Sequence, residues 1–373
     1  MLTIGIDPGT KSFDICGIEE RDSSINVVVD ESIPSEEVAK DPLVIIEIIE
    51  KNKPNLIVAP SGYGIALKHI SQMDELDKKL VTLNKKDDEG IPVLKGLSKL
   101  LKMFKELNYN AYLIPGVIHL PTVRNYRKIN KIDMGTADKL CVAVLGIYDQ
   151  SRYLDISYNE TNFILVEIGY AYNACIAVEK GKIIDGIGGT NASISFKSLG
   201  GMDGEFAYIL GNFEKKVLFS GGISDILQSE NPEDILKDEF ASEAFFEGIE
   251  KMVSSMLVSI SYPKEILISG RLSRINAIYE ELRKRLRKYA RVRKIEGLKY
   301  IISQGKYIEG NSLKCKEAAQ GAAIISNGLA GGIFKDLIIN LEIYKSKGTI
   351  LDYIYLRNYQ TRIFKNLDLF DKL

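Results

Sequence analysis

The sequence is poor in histidine and cysteine, carries no surplus of charge of either sign and has no long apolar run. Each shortage removes a class of function. His69 and His119 are its two histidines, too few for a His-rich metal centre. Neither stands beside a G-x-S-x-G elbow, so a Ser-His-Asp triad has no frame. Cys16, Cys141, Cys175 and Cys315 are far apart and form no CxxC pair, which argues against a structural zinc site or a dense disulfide framework. Buried free thiols in a reducing cytoplasm are the expectation. Lysine and arginine number 49 against 50 aspartates and glutamates. A net charge of −1 leaves no cationic excess for a nucleic-acid partner. No stretch reaches the roughly 18 apolar residues of a membrane span. The opening Leu2-Thr3-Ile4-Gly5-Ile6 reads as a strand rather than a secretory signal.

What is present is a globular composition. The 373 residues are 45% hydrophobic and 27% charged, enough for about two domains of roughly 150 residues each. Leu2–Asp7, Phe13–Glu19 and Ser24–Asp30 read as three strands, with Pro8-Gly9-Thr10 as the first turn. A helix runs from Pro34 through Ile49, and Asn55–Ala59 is a buried strand. Strand, crossover helix and strand suggest parallel pairing. Residues 85–90 form a charged loop, Val93–Leu107 a helix, Ala111–Ile114 a strand and 115–135 a long loop. Thr136 caps a helix from Ala137 to about Asp149. The opening pattern then returns in Phe163–Glu167, Ala174–Glu179 and Lys182–Ile187. Asp7-Pro8-Gly9 answers Glu167-Ile168-Gly169, and Glu19 answers Glu179, at a constant offset. The expected division is 1–150, 151–332 and a helical extension at 333–373.

The first turn combines Asp7, backbone N–H groups around Gly9, and the donors Thr10 and Lys11. Such a bend receives phosphate, and Asp7 stands where a carboxylate holds Mg²⁺ through water. Asp-Pro-Gly is also a common tight turn. Glu167 and Gly169 repeat the device, and Gly188, Gly189 and Thr190 add backbone donors. Ser269 and Gly270 end a buried strand, where a flat ring can lie against backbone. Ala318-Ala319-Gln320-Gly321-Ala322-Ala323 has no bulk on one face, which either packs tightly or leaves room for a nucleoside.

These features in this order resemble the sugar kinase, actin and heat-shock-chaperone superfamily of ATP-binding proteins, over about residues 1–332. The resemblance implies an α/β fold of two ribonuclease H-like (actin-like ATPase) domains with an interdomain nucleotide cleft. It implies ATP and Mg²⁺ as cofactors. Asp7, Gly9, Thr10 and Lys11 would form one phosphate loop, and Glu167 and Gly169 the other. Ser269, Gly270 and Ser273 would form the adenosine loop, and Gly321 would belong to the closing helix. Within the superfamily, Ile6-Asp7-Pro8-Gly9-Thr10-Lys11-Ser12 and the segment Ala177–Asp185 are similar to acetate and butyrate kinases. The chain is identified with an archaeal family described as predicted butyrate kinases. Glu167 replaces the usual Asp of the second loop, and Tyr170 and Tyr172 are bulky there.

The implied reaction is transfer of phosphoryl from ATP to a short-chain carboxylate. Asp7 and Glu167 would hold the metal; the arginines that clamp the acyl group in acetate kinases have no aligned match, and Arg124 or Arg127, candidates by composition only, could hold the carboxylate bidentately. For a hydroxyl acceptor Asp133 or Asp138 would be the base, although Asp138 in a first helical turn also suits the helix dipole. A sugar kinase of the same fold and an actin-like or chaperone-like ATP switch are the competing readings. The expected partner is a small-molecule acceptor, without nucleic acid or membrane, and a homodimer stays open.

Overall fold

The computed structural model describes residues 1–369 apart from Glu89, Gly305 and Asn311. Glu89 of the expected 85–90 loop and the last four residues of the expected extension therefore lie outside the described residues.

The first sheet contains β1 (Leu2–Pro8), β2 (Ser12–Arg21), β3 (Ser24–Pro34), β4 (Leu56–Val58), β5 (Lys68–His69) and β6 (Ala111–Leu113), ordered β3-β2-β1-β4-β6-β5. β1, β2 and β3 form an antiparallel meander, and β4 and β6 add parallel to β1. The second sheet contains β7 (Asn162–Ile168), β8 (Asn173–Glu179), β9 (Lys182–Gly188), β10 (Glu265–Ser269) and β11 (Arg291–Lys294), ordered β11-β10-β7-β8-β9. It repeats the same plan: β7, β8 and β9 meander, and β10 and β11 add in parallel. A separate hairpin pairs β12 (Tyr300–Ser303) with β13 (Lys306–Glu309).

Helices cover the first sheet. The expected helix from Pro34 to Ile49 is two, α1 (Ser35–Lys40) and α2 (Leu43–Asn52). Pro42 divides them because it cannot donate a backbone hydrogen bond. α3 (Glu75–Thr82), α4 (Pro92–Glu106) and the short α5 (Asn125–Lys128) complete this half. Then come α6 (Ala137–Leu154), α7 (Gly204–Leu210), α8 (Ile223–Leu227), α9 (Glu239–Met256) and α10 (Asn276–Leu286). The chain ends with α11 (Glu317–Leu329), α12 (Lys335–Asn340) and α13 (Gln360–Asn366).

The layers follow strand alternation, in which successive side chains face opposite ways. Phe163 and Leu165 of β7 join one core with α6, α11 and the first sheet. Ile164, Val166 and Ile168 join a second core with α9 and α10. α6 and α11 thus lie between the two sheets. α6 runs through residue 150, and α11 packs on β1, β2 and β4 of the first sheet. The halves exchange helices because each sheet's inner face needs apolar cover. In the expected 333–373 extension, Lys347 donates its backbone N–H to His119 O, and Asn130 to Tyr353 O. The tail therefore straps the first half.

All four cysteines are buried and free. No helix among the described residues is long and apolar enough to cross a membrane.

Candidate active site

Both glycine turns open into one cleft between the sheets. Its lining includes Asp7, Gly9, Thr10 and Lys11 from the first turn, and Glu167, Gly169, Tyr170 and Tyr172 from the second. Gly189, Thr190 and Gly270 join them, with Asp133, Asp138, Lys139 and Lys316. The first turn is pinned from within: Gly9 N–H donates to Ser12 O at 3.0 Å, and Ser35 Oγ donates to Gly9 O at 2.7 Å. The second closes in the same way, with Gly169 N–H donating to Tyr172 O at 3.0 Å. Gly270 has φ +94° and lies against Ile168 O, a backbone approach that a side chain would block.

Each turn brings a carboxylate, and each carboxylate meets a lysine from a helix start. Asp7 faces Asp14 across the β1–β2 pair. Lys316, at the N-cap of α11, lies 2.6 Å from Asp14 Oδ2 and 4.0 Å from Asp7 Oδ2. Among the described residues Asp7 Oδ1 is buried without a hydrogen-bond partner. Burial pushes the Asp7 carboxyl up to about 8; Lys316 opposes this, and Asp138 and Asp14 reinforce it. On the other side Lys139, in the first turn of α6, pairs with Asp138 at 2.8 Å and with Glu167. Burial works to raise Asp138, but Lys139 and a hydrogen bond from Thr136 hold it below the usual carboxylate range. Burial raises Glu167, with Lys139 opposing. Asp133 accepts from Gly135 N–H at 2.9 Å, and burial pushes its carboxyl up to about 6.

Several expected residues lie elsewhere. Arg124 is exposed at the N-cap of α5 and does not line the cleft. Arg127 donates to Ile184 O at 2.7 Å and pairs with Asp185. Gly321 faces protein: a Cβ there would lie 1.9 Å from Cys141 O of α6. The adjoining Ala322 and Ala323 crowd Gly5 of β1, so this part of the small-residue stripe is filled by packing, while Ala318 at its start lines the cleft. Ser269 and Ser273 are buried behind Gly270, and Ser273 Oγ donates to Gly270 O at 2.7 Å. Ser273 thus supports that turn from below. Gly188 packs on Asp133 and Gly135.

Sequence reasoning missed Lys139, Lys316, Asp14, Tyr63 and Lys215. The two helix-start lysines had a signal, since a cation at a helix N-terminus opposes the macrodipole and needs a carboxylate to hold it. The others depend on long-range contacts.

A metal can be tested against these residues. Mg²⁺ commonly uses one or two carboxylates together with substrate phosphates. The unpartnered Asp7 Oδ1 fits that duty. Glu167 meets Lys139 through Oε2. Among the described residues no group of three or more His, Cys, Asp or Glu could hold a metal ion.

The two lobes and their shared cleft define an actin-like ATPase fold. Residues 5–356 match the family described as "Protein of unknown function (DUF1464)", and the chain belongs to that family. No curated protein matches it. Among solved structures it is similar to acetate kinase from Entamoeba histolytica, at 12% identity and TM-score 0.52, covering 77% of this chain and 87% of that one. It is also similar to Porphyromonas gingivalis acetate kinase, at 12% identity and TM-score 0.52, covering 86% and 98%. These likenesses carry the fold.

Proposed function

We propose that the protein is an ATP-dependent phosphotransferase that phosphorylates a small-molecule carboxylate, giving an acyl phosphate and ADP. The observation that carries this reading is the convergence of two glycine turns on one cleft whose floor holds Asp7 with an unpartnered oxygen. That the two similar structures are both acetate kinases favours a carboxylate acceptor.

Phosphoryl transfer is chiefly positioning and charge neutralisation. Backbone N–H groups of the turns at Gly9, Gly169 and Gly189 would orient the phosphates. Asp7 would hold Mg²⁺, which when bound offsets charge on the phosphate oxygens. Lys11 and Lys316 would add fixed positive charge at the first turn. An acceptor carboxylate oxygen forms a bond to the γ-phosphorus while the bond from that phosphorus to the β–γ bridging oxygen breaks. The leaving electron pair stays with ADP, and no proton moves. Arg124 does not line the cleft; Lys139 does, paired with Asp138 and Glu167.

A hydroxyl acceptor is the second reading, favoured by Asp133. A buried carboxyl raised to about 6 is close to the match a general base needs near neutral pH. Mg·ATP turnover with hydroxylamine present separates the two. Hydroxamate formed in step with ADP supports the carboxylate; ADP released with an alcohol and no hydroxamate supports the hydroxyl. ATP hydrolysis indifferent to every acceptor overturns both.

A further inference from the structure

One wall of the cleft is not explained by phosphate binding. The segment 212–219 leaves the second lobe and docks on the first. Lys215 N–H donates to Asp88 Oδ2 at 2.5 Å. Lys215 Nζ donates to Thr82 O at 2.5 Å and Leu83 O at 3.1 Å, at the end of α3. Lys85 answers from the first lobe, donating to Asn212 Oδ1 at 2.9 Å and Phe213 O at 2.8 Å. The segment is therefore clamped from both sides, and it carries Phe219 into the cleft.

Around Phe219 the cleft is lined by rings and aliphatic groups. Tyr172 packs edge-on against Phe219 with centroids 5.0 Å apart. Lys215 Nζ lies 4.7 Å from the centroid of the Tyr63 ring. Ile91, Val93 and Leu94 of the first lobe line the same cleft. Several polar groups here are committed to protein. Tyr172 Oη donates to Leu218 O at 2.8 Å, and Thr136 Oγ1 donates to Asp138. Lys215 holds two carbonyls.

A polyol is recognised by several side chains that hydrogen-bond its hydroxyls, whereas rings and aliphatic groups discriminate by shape and apolar contact. We propose that this wall is the acceptor chamber and that it takes an acceptor with a flat, apolar body, an aryl-bearing carboxylate or alcohol, with Phe219 as its specificity-determining residue. This rests on the phosphotransferase reading and narrows it. Aromatic rings reward an offset-stacked or edge-on aromatic partner beyond the area it buries. A short aliphatic acid or a sugar would forgo that gain.

The test uses the full chain with four acceptors: phenylacetate, benzyl alcohol, butyrate and glucose. Calorimetry reads their binding without nucleotide, and ADP release reads turnover with Mg·ATP. The expected result is that an aryl compound exceeds butyrate and glucose by about tenfold in kcat/KM. Phe219→Leu, which keeps apolar bulk but removes the ring, should cut that preference severalfold, and Phe219→Ala should cut it further. If Phe219→Ala fails to fold, Phe219→Leu still decides. Butyrate or glucose as the best acceptor overturns the proposal, as does an aryl preference that both variants leave intact. Aryl binding that depends on Phe219 without any turnover keeps the chamber and overturns the phosphotransferase reading. No aryl binding and no aryl turnover overturns the chamber alone when butyrate is still phosphorylated.

Discussion

The two lobes share one plan and differ in how their turns handle charge. Asp7 stands opposite Asp14 in the first turn, whereas Glu167 stands opposite Ala174 in the second. Two acids share Lys316 in the first lobe, and the lysine lies closer to Asp14 than to Asp7. That leaves Asp7 with an oxygen to spare. In the second lobe Lys139 holds Glu167 and Asp138 together. The lesson is that duplicated bends need not share duties. In one, two acids share a cation that sits nearer the second acid; in the other, a cation bridges the turn's acid to a neighbour on α6.

The sharpest way to break this comparison is to neutralise each acid in turn. Asp7→Asn should lower Mg·ATP turnover about a thousandfold, the scale of losing a main electrostatic group in an active site. Glu167→Gln should lower it only about tenfold, since it disturbs Lys139 rather than the metal. Burial already favours the protonated Asp7 carboxyl in the free protein, and Asn mimics that form. Its thermal unfolding should therefore move by less than about 1 kcal/mol. Steady-state rates over a Mg²⁺ titration check both variants. Equal losses would mean that the two bends are equivalent after all.

The repeat was legible because alternation and glycine turns are local. β1, β2 and β7 to β10 fall close to where the sequence puts them, and the α/β two-domain fold follows from their order. The helix exchange was not legible, because nothing in the composition of α11 says which sheet it covers. Its stripe of small residues reads as open space or close packing alike, and only Cys141 O beside Gly321 decides. α7 and α8 lie in the region 191–231, where polar residues and glycines interrupt any period. Arg124 was chosen for its charge alone, and a loop position does not fix where a long side chain points. Lys215 came to notice only through carbonyls more than a hundred residues away.

The exchanged helices give the next test. Gly321→Ala places a Cβ against backbone of α6, and overpacking of this kind costs about 3 kcal/mol. Gly204 begins α7 in the second lobe, and an added Cβ there meets nothing within 4 Å. Gly204→Ala should change stability by less than about 1 kcal/mol. Denaturant titrations of both variants measure the contrast. A mild Gly321→Ala would show that the α6–α11 contact yields easily and that the lobes are less firmly joined than their packing indicates.

The last test concerns acid. Both histidines lie in the first lobe's part of the chain, and His119 is buried there, with burial pulling its imidazole down to about 4. Between pH 6.5 and 4 the unfolded chain takes up a proton at this site while the folded chain does not. The His119 contribution is therefore present above pH 6.5 and is lost as pH falls to 4, to the extent of about 3 kcal/mol. Asp7 and Asp133 act with the opposite sign. Their raised values mean that the folded protein keeps protons the unfolded chain has released, so their contribution is full near pH 4. It fades as pH rises through about 6 for Asp133 and about 8 for Asp7. The measurable quantity is thus a difference: wild type minus His119→Gln, by denaturant titration from pH 7 to 4. The gap should shrink steadily across that range. A constant gap would mean that His119 takes up its proton without unfolding the lobe around it, so the first lobe would owe its acid response to the cleft carboxyls alone.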